Sequence, residues 1–212
     1  MPSATSRRSA RGRPSKGDRR EQRLREAAER LLARGRFADA SVADFAAEAG
    51  LERASFYFYF ASKQALLAAV VGSAVAGFES RLAGQLDTAA VRSPAEVVAG
   101  TVRSAAELWW EHRVVLVASV ELGLSMPEVY ERNLASMEVV GDTTLALLAR
   151  SGGVPPGGED ATRRLVHALI LMTERNFYDL ARRAATSVEY AALTTLLTTV
   201  WQRALSAEES HT

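Results

Sequence analysis

The segment SVADFAAEAGLERASFYFYFASKQALL, residues 41–67, carries the strongest structural signals in this chain of 212 residues. Ser41 can cap the free backbone N–H groups at the start of a short helix, and Asp44, three residues later, suits the positive end of that helix. Gly50 closes the helix and can adopt the positive φ of a tight turn. A third short helix is therefore predicted from about residue 52 to residue 60.

The aromatic run FYFYF, residues 56–60, alternates like a β-strand but is better explained as helix. A five-residue strand with no plausible partner elsewhere in the sequence would be an unpaired edge. At about 100° per residue, Phe56 and Phe60 share one face of a helix, with Tyr57 and Tyr59 on either side of it. Two phenols would therefore flank an apolar anchor.

A helical period precedes this segment. Its apolar residues recur at the spacing of an amphipathic helix that ends at Gly35. Together the three helices, of roughly 17, 8 and 8 residues, have the proportions of a helix-turn-helix. Any small three-helix bundle shares these proportions, so a helical module that does not bind DNA stays open as the alternative. The apolar stripe of the first helix consists of Leu24, Ala27, Ala28, Leu31 and Leu32.

Residues 41–51 and 55–67 resemble the N-terminal signature of TetR-family transcriptional regulators, and the resemblance extends over about residues 22–70. It implies a homodimeric repressor whose third helix enters the major groove of a palindromic operator. By this resemblance, Arg53 is the best candidate for reading guanine, because its fork can donate to both O6 and N7. The implied base contacts are Arg53, Ala54 and Ser55, and the implied phosphate contacts are Ser41, Tyr57, Tyr59 and Lys63.

Charge is unevenly distributed along the chain, although its net value is only +1. Residues 1–25 hold nine basic and two acidic residues, a local charge of +7, so the rest of the chain carries −6. Residues 1–17 are predicted to form a disordered basic arm. The RGRP stretch resembles an AT-hook core, so Arg11 and Arg13 are predicted to contact a narrow A·T-rich minor groove. A solvated tail without DNA contacts is the alternative.

The C-terminal part reads as a series of helices that bury apolar faces. The helix predicted near residues 159–185 carries two apolar stripes, and the last helix, near residues 188–206, carries one. A helix that is apolar on two sides packs one side against its own domain and needs a second partner, such as another subunit, for the other side. Pairing these last two helices with their copies predicts a four-helix dimer interface, which the family resemblance also implies. The other predicted helices begin near Ser62, run from Pro94 to about Trp109, and span about residues 114–122 and 127–150.

The C-terminal part also resembles the ethionamide-regulator subgroup of the family, through LMTER at residues 171–175 and Trp201 near the end. That resemblance implies an elongated, largely aromatic ligand tunnel. Thr173 stands where the subgroup has an asparagine, and one hydroxyl offers less hydrogen bonding than an amide. We expect a mostly apolar effector with one hydrogen-bonding group. The candidate tunnel residues are Trp109, Asn133, Met137, Val140, Thr144, Thr173, Glu174, Asn176, Phe177 and Trp201.

Several protein classes are not expected. The absence of cysteine excludes disulfides and thiolate chemistry and agrees with a cytoplasmic location. The longest uncharged stretch, Gln64 to Phe78, has fifteen residues. That is shorter than the roughly 20 apolar residues of a membrane span. The three histidines form no ligand motif, and no catalytic or cofactor fingerprint occurs, so no enzyme, metal or cofactor is expected.

These observations combine into one expectation. The protein should be all-α with about nine helices. The arm at residues 1–17 should precede a helix-turn-helix DNA-binding domain at residues 18–66. Residues 67–212 should form a helical domain that binds the effector and dimerises.

Overall fold

The computed structural model describes residues 15–153 and 158–206, and every regular element in these ranges is helical. The predicted all-α fold is confirmed. The chain divides into two compact units between Lys63 and Gln64, called here the N-terminal and C-terminal units. In chain order the elements are α1 Lys16–Ala33, α2 Val42–Glu48, α3 Arg53–Tyr59, α4 Lys63–Gly84, a 3-10 helix Leu86–Val91, α5 Pro94–Gly123, α6 Pro127–Arg150, α7 Glu159–Arg182 and α8 Ser187–Ser206.

Helix α1 begins at Lys16, inside the segment that was expected to be a disordered arm. Its start is fixed by a capping box between Ser15 and Asp18. The backbone N–H of Ser15 donates to the Asp18 carboxylate at 2.8 Å, and the backbone N–H of Asp18 donates to Ser15 Oγ at 3.1 Å. Because these bonds satisfy N–H groups that a helix end leaves free, the helix extends to Lys16. Arg11 and Arg13 lie outside the described residues.

The core of the N-terminal unit is an aromatic cluster. Phe37 packs edge-on against Phe45 with ring centroids 5.1 Å apart, and Phe45 and Phe56 are fully buried. The centroid of Phe56 lies 6.0 Å from that of Phe60. The interpretation of residues 56–60 as helix is correct up to Tyr59, and Phe60 follows as the extended C-cap residue. The aromatic run thus anchors α3 by one face.

A glycine makes the turn between α2 and α3 possible. Gly50 has a φ of +64°, a backbone conformation that side chains with a Cβ rarely adopt. At the other end of α2, Ser41 and Asp44 form the capping box that the sequence predicts. Both ends of α2 are therefore fixed by local chemistry.

Helix α5 joins two segments that the sequence separates. The apolar period lapses around residues 110–113, yet the helix continues through them with one distorted residue, His112, at φ −116° and ψ 22°. No proline or glycine ends the helix in this short stretch, and the chain kinks at His112. The nine predicted helices therefore correspond to eight α-helices in the described residues, together with the 3-10 helix.

Helix α4 supplies much of the core of the C-terminal unit. Among the described residues, one helical stretch, Lys63–Val91, is long and apolar enough to span a membrane. This is weak evidence for a membrane span, because a buried core helix meets the same criterion. The buried side chains of α4 are Leu66, Leu67, Val70, Val71, Ala74, Val75, Phe78 and Leu82.

Candidate functional site

The first candidate site is the exposed side of α3. Arg53 and Ala54 at its start are exposed, and Ser55 is half-buried. Within the ranges that the structure describes, the Arg53 guanidinium makes no ion pair or hydrogen bond, so its fork is free to bind a ligand. Tyr57 is 50% exposed, and its ring packs edge-on against Phe56. The geometry leaves the start of α3 and the Tyr57 ring available to a partner.

Two of the predicted phosphate contacts already have partners within the protein. Ser41 Oγ accepts from the backbone N–H of Asp44 and donates to the Asp44 carboxylate at 2.7 Å. The Ser41 hydroxyl and, at 2.8 Å, the Ser41 backbone N–H both donate to the Asp44 carboxylate and so lower the pKa of Asp44. The Lys63 ammonium donates to the carbonyl oxygens of Ala38 at 2.6 Å and Ala40 at 3.3 Å. Lys63 therefore ties the loop before α2 to the start of α4, with one N–H left for a phosphate.

The structure adds two residues to this surface. A small cleft beside Ala54, Ser55 and Tyr59 is completed by Arg20 of α1 and Phe58 of α3. Phe58 is 81% exposed, the opposite of its neighbour Phe56. The signal for Phe58 was present in the sequence, because residues two apart lie about 200° apart on a helix. Arg20 was counted only as part of the basic N-terminal charge.

The second candidate site is an apolar cavity inside the C-terminal unit. It encloses about 770 Å³ of empty space, including its open mouth, and side chains from α4 to α8 line it. Seven predicted tunnel residues lie in its wall: Trp109, Asn133, Met137, Val140, Thr173, Glu174 and Trp201. The wall also contains residues that were not predicted, among them Phe78, Thr101, Leu108, Ser119, Ser136 and Ile170.

Three predicted tunnel residues do not line the cavity. The Thr144 hydroxyl donates to the Val140 carbonyl at 2.7 Å, and the Asn176 amide donates to the Met172 carbonyl at 2.8 Å. Phe177 is fully buried and stacks on Tyr190, with ring centroids 5.8 Å apart. Thr144 and Phe177 are buried and Asn176 is half-buried, so helical periodicity does not say which side of a helix meets the cavity.

Several polar side chains of the cavity wall determine its hydrogen-bonding character. Trp201 Nε1 donates to Thr173 Oγ1 at 2.8 Å, and Asn133 Nδ2 donates to the Ser119 carbonyl at 3.3 Å. Burial raises the pKa of the Glu174 carboxyl. Ser136 was missed, although it lies three residues after Asn133, and this is the spacing of one helix face.

No cluster of three or more metal-ligating side chains occurs in the part of the chain that the structure describes. The two sites are therefore a surface helix with an uncommitted arginine and an apolar cavity with a polar edge.

Comparisons with known proteins agree on what this chain is similar to. The family described as bacterial regulatory proteins, tetR family, matches residues 24–70. The HTH-type transcriptional regulator EthR of Mycolicibacterium smegmatis is 30% identical over 210 residues, covering 95% of this chain and 94% of that protein. EthR of Mycobacterium tuberculosis is 31% identical over 207 residues, covering 92% and 91%.

Solved structures show the same fold. The fatty acid degradation regulator FadR of Bacillus halodurans superposes with a TM-score of 0.70 at 17% identity, covering 96% of this chain and all of that one. FadR of Thermus thermophilus, a repressor solved in complex with lauroyl-CoA, has a TM-score of 0.64 at 21% identity, covering 91% and 96%.

Proposed function

Because this chain belongs to the TetR family of bacterial transcriptional regulators, we propose that it is a homodimeric repressor whose palindromic operator is released by a mostly apolar effector. The regulators that it resembles over nearly its whole length are not enzymes. DNA binding follows from the family's helix-turn-helix, which the matched residues 24–70 comprise. We further propose that the protein forms a dimer, represses transcription, responds to an effector and is located in the cytoplasm.

The proposed DNA contacts start from α3. Arg53 would read guanine from the exposed start of that helix, with Ala54 and Ser55 beside it. Tyr57 and Tyr59 would hold phosphates through their hydroxyls, and Ser41 and Lys63 would add contacts near the starts of α2 and α4. Phosphate contacts position the protein, whereas base contacts distinguish sequences. The uncommitted guanidinium of Arg53 supports its role as the specific contact.

The proposed dimer uses the last two helices. Leu171 on α7 and Leu196 on α8 are 42% and 59% exposed, so the last two helices leave large apolar side chains uncovered. Pairing this face with its copy would bury both leucines. Two DNA-binding domains related by a two-fold axis would then meet half-sites about 34 Å apart, one turn of the double helix.

The proposed effector acts through the cavity of the C-terminal unit. A ligand shifts an equilibrium only if it prefers one of the two states. Effector in the cavity would favour dimers whose DNA-binding domains no longer match successive major grooves. A tenfold release requires a preference of about 1.4 kcal/mol for that form. We assign DNA binding to residues 18–66, and effector binding and dimerisation to residues 67–212.

The observation that carries this proposal is the free Arg53 guanidinium at the start of α3 within a TetR-family helix-turn-helix. Selection of bound DNA from a random pool tests it, and we expect an enriched palindrome. Arg53→Ala should lose about 1–3 kcal/mol of binding and the preference at one position of each half-site. The matched control is Arg150→Ala at the exposed end of α6, which should leave binding unchanged. Absence of any enriched sequence would favour a helical module that does not bind DNA.

A further inference from the structure

The cavity wall holds several oxygen atoms that can accept a hydrogen bond from a ligand. The Trp201 indole N–H already donates to Thr173, and one of the two Asn133 amide N–H groups donates to the Ser119 carbonyl. The amide orientation of Asn133 follows from this bond, because its oxygen would repel the carbonyl. Asn133 Oδ1 is thereby left to accept. The Thr173 hydroxyl keeps one proton to donate.

Ser136 presents a hydroxyl at the cavity wall, which can donate one hydrogen bond and accept others. The residue is 7% exposed, and its Oγ atom is buried. Its Oγ has no hydrogen-bond partner among the described residues. A buried hydroxyl without a partner is unfavourable, and native structures leave few of them. The hydroxyl of Ser136 lies on α6 three residues after Asn133, so both belong to the same wall of the cavity.

Glu174 supplies a carboxyl group on the facing helix α7. It lines the cavity among apolar side chains, and the described residues of that lining include no Lys, Arg or His. Burial raises the pKa of this carboxyl, and neither a basic side chain nor a hydrogen bond offsets the effect. A carboxylate in such surroundings is stabilised by a positive charge or by hydrogen-bond donors, and a bound ligand can supply both.

We propose that the effector is an amphiphilic amine, with an apolar body in the cavity and an ammonium group that binds Glu174. The ammonium also donates to Asn133 Oδ1 and Ser136 Oγ. An ammonium group carries a positive charge, which the Glu174 carboxylate otherwise lacks as a partner. It also has up to three N–H donors for the oxygen atoms of Asn133 and Ser136. A carboxylate would be repelled by Glu174, and an alcohol has one proton and no charge. This inference rests on the proposed function, because it names the effector class of the same cavity.

A matched set of ten-carbon probes tests the inference on the full chain. Decylamine, decanol, 2-decanone and decanoate share one apolar body and differ in their head groups. Binding at neutral pH can be followed by calorimetry and by tryptophan fluorescence, since Trp109 and Trp201 line the cavity. We expect decylamine to bind at least tenfold more tightly than each of the other three. Tighter binding of 2-decanone or decanoate would overturn the inference.

Variants identify the groups responsible. Glu174→Gln keeps the size of the side chain and removes its charge, so it should abolish the preference for decylamine and leave decanol affinity within about twofold. Retained decanol binding also shows that the variant is folded. Ser136→Ala should weaken decylamine binding by a smaller factor. Glu138→Gln, at an exposed position of α6, is the control and should change nothing. An unchanged preference in Glu174→Gln would overturn the inference.

The outcome separates this inference from the proposed function. DNA selection and probe binding are independent measurements. If the protein enriches a palindrome but shows no preference for decylamine, the effector class is wrong and the regulator stands. If it prefers decylamine but enriches no DNA, the proposed function fails and the binding chemistry stands. If both hold, decylamine should release the selected operator, whereas decanoate should not.

Discussion

Trp201 on α8 donates a hydrogen bond of 2.8 Å from its indole Nε1 to Oγ1 of Thr173 on α7. The two side chains are 1% and 6% exposed, and both also line the cavity. They therefore form part of the core and part of the binding site at once. A substitution at either position should change stability as well as ligand binding.

Thr173→Val tests the structural part of this pair. Valine has nearly the shape of threonine but cannot accept the indole N–H of Trp201, so a buried donor loses its partner. We expect the free energy of unfolding to fall by about 1–3 kcal/mol, the usual range for such a loss. Urea denaturation of the wild type and the variant measures the difference.

The matched control is Thr144→Val on α6. The Thr144 hydroxyl is also buried, but it donates to the Val140 carbonyl, which the helix already uses. We expect a loss of less than about 1 kcal/mol. Equal losses in the two variants would mean that the bond between Trp201 and Thr173 adds nothing to stability.

Glu48, at the end of α2, accepts hydrogen bonds from two arginines at the end of α1. We expect this clamp between the two helices to make the stability of the N-terminal unit depend on pH. The Glu48 carboxylate accepts from Arg30 Nε at 2.7 Å and from an Arg34 guanidinium N–H at 3.0 Å. The hydrogen bond from Arg30, with a further one from Arg34, lowers the pKa of Glu48 from its ordinary value of 4.5. Because the pKa of Glu48 is lower in the folded state, its carboxylate stabilises the fold when the pH is above 4.5. This stabilisation is lost as the pH falls through the folded-state pKa.

We therefore expect Glu48→Gln to lower the urea midpoint at neutral pH, and the difference from wild type to shrink below about pH 4. High salt should also reduce the difference, because the arginine side chains are partly exposed. Glu29→Gln, at an exposed position of α1, is the control. A difference of the same size at all pH values would contradict the clamp.

Local signals in the sequence determined the N-terminal unit almost completely. Ser41 and Asp44 predict the start of α2, Gly50 predicts its end, and the spacing of Phe56 and Phe60 predicts the buried face of α3. The kink at His112 was not predictable, because a lapse in apolar period looks the same whether a helix stops or bends. The structure resolves this through the unbroken course of α5 from Pro94 to Gly123.

The cavity shows a different limit of sequence reasoning. The resemblance to the ethionamide-regulator subgroup predicts that Trp201, Thr173 and Glu174 belong to one site. In the structure all three line the cavity. The structure also brings in Ser136, whose importance comes from a missing hydrogen-bond partner. Periodicity identifies buried positions, but the satisfaction of a buried polar group depends on side chains from other helices. That information arises only when the helices are assembled.

The basic N-terminal residues should contribute to DNA affinity through phosphate and minor-groove contacts. Truncation of residues 2–14 tests this and spares Ser15, the cap of α1. It removes Arg7, Arg8, Arg11 and Arg13. Each lost phosphate contact should make the slope of log affinity against log salt shallower by about 0.9. An unchanged slope would exclude phosphate contacts by this segment.

The AT-hook resemblance makes a narrower prediction for the same segment. The double substitution Arg11→Ala, Arg13→Ala should remove any preference for A·T-rich DNA flanking the operator, because these two side chains would insert into the narrow minor groove. Arg7→Ala, Arg8→Ala removes the same charge and is the matched control, which should lower affinity equally for A·T-rich and G·C-rich flanks. If the two double variants lose the same affinity for A·T-rich and G·C-rich flanks, the segment contributes to DNA binding through its charge alone.

The exposed leucines of α7 and α8 should hold the dimer together. Leu196→Glu places a charge where the proposed interface buries an apolar side chain, and an unpaired buried carboxylate is strongly unfavourable. We expect the mass measured by light scattering to fall from twice 22.9 kDa to 22.9 kDa, and operator affinity to fall at least tenfold. Leu124→Glu is the matched control, since Leu124 is 90% exposed at the end of α5 and lies on neither α7 nor α8. A dimeric Leu196→Glu, or a monomeric Leu124→Glu, would move the interface away from the last two helices.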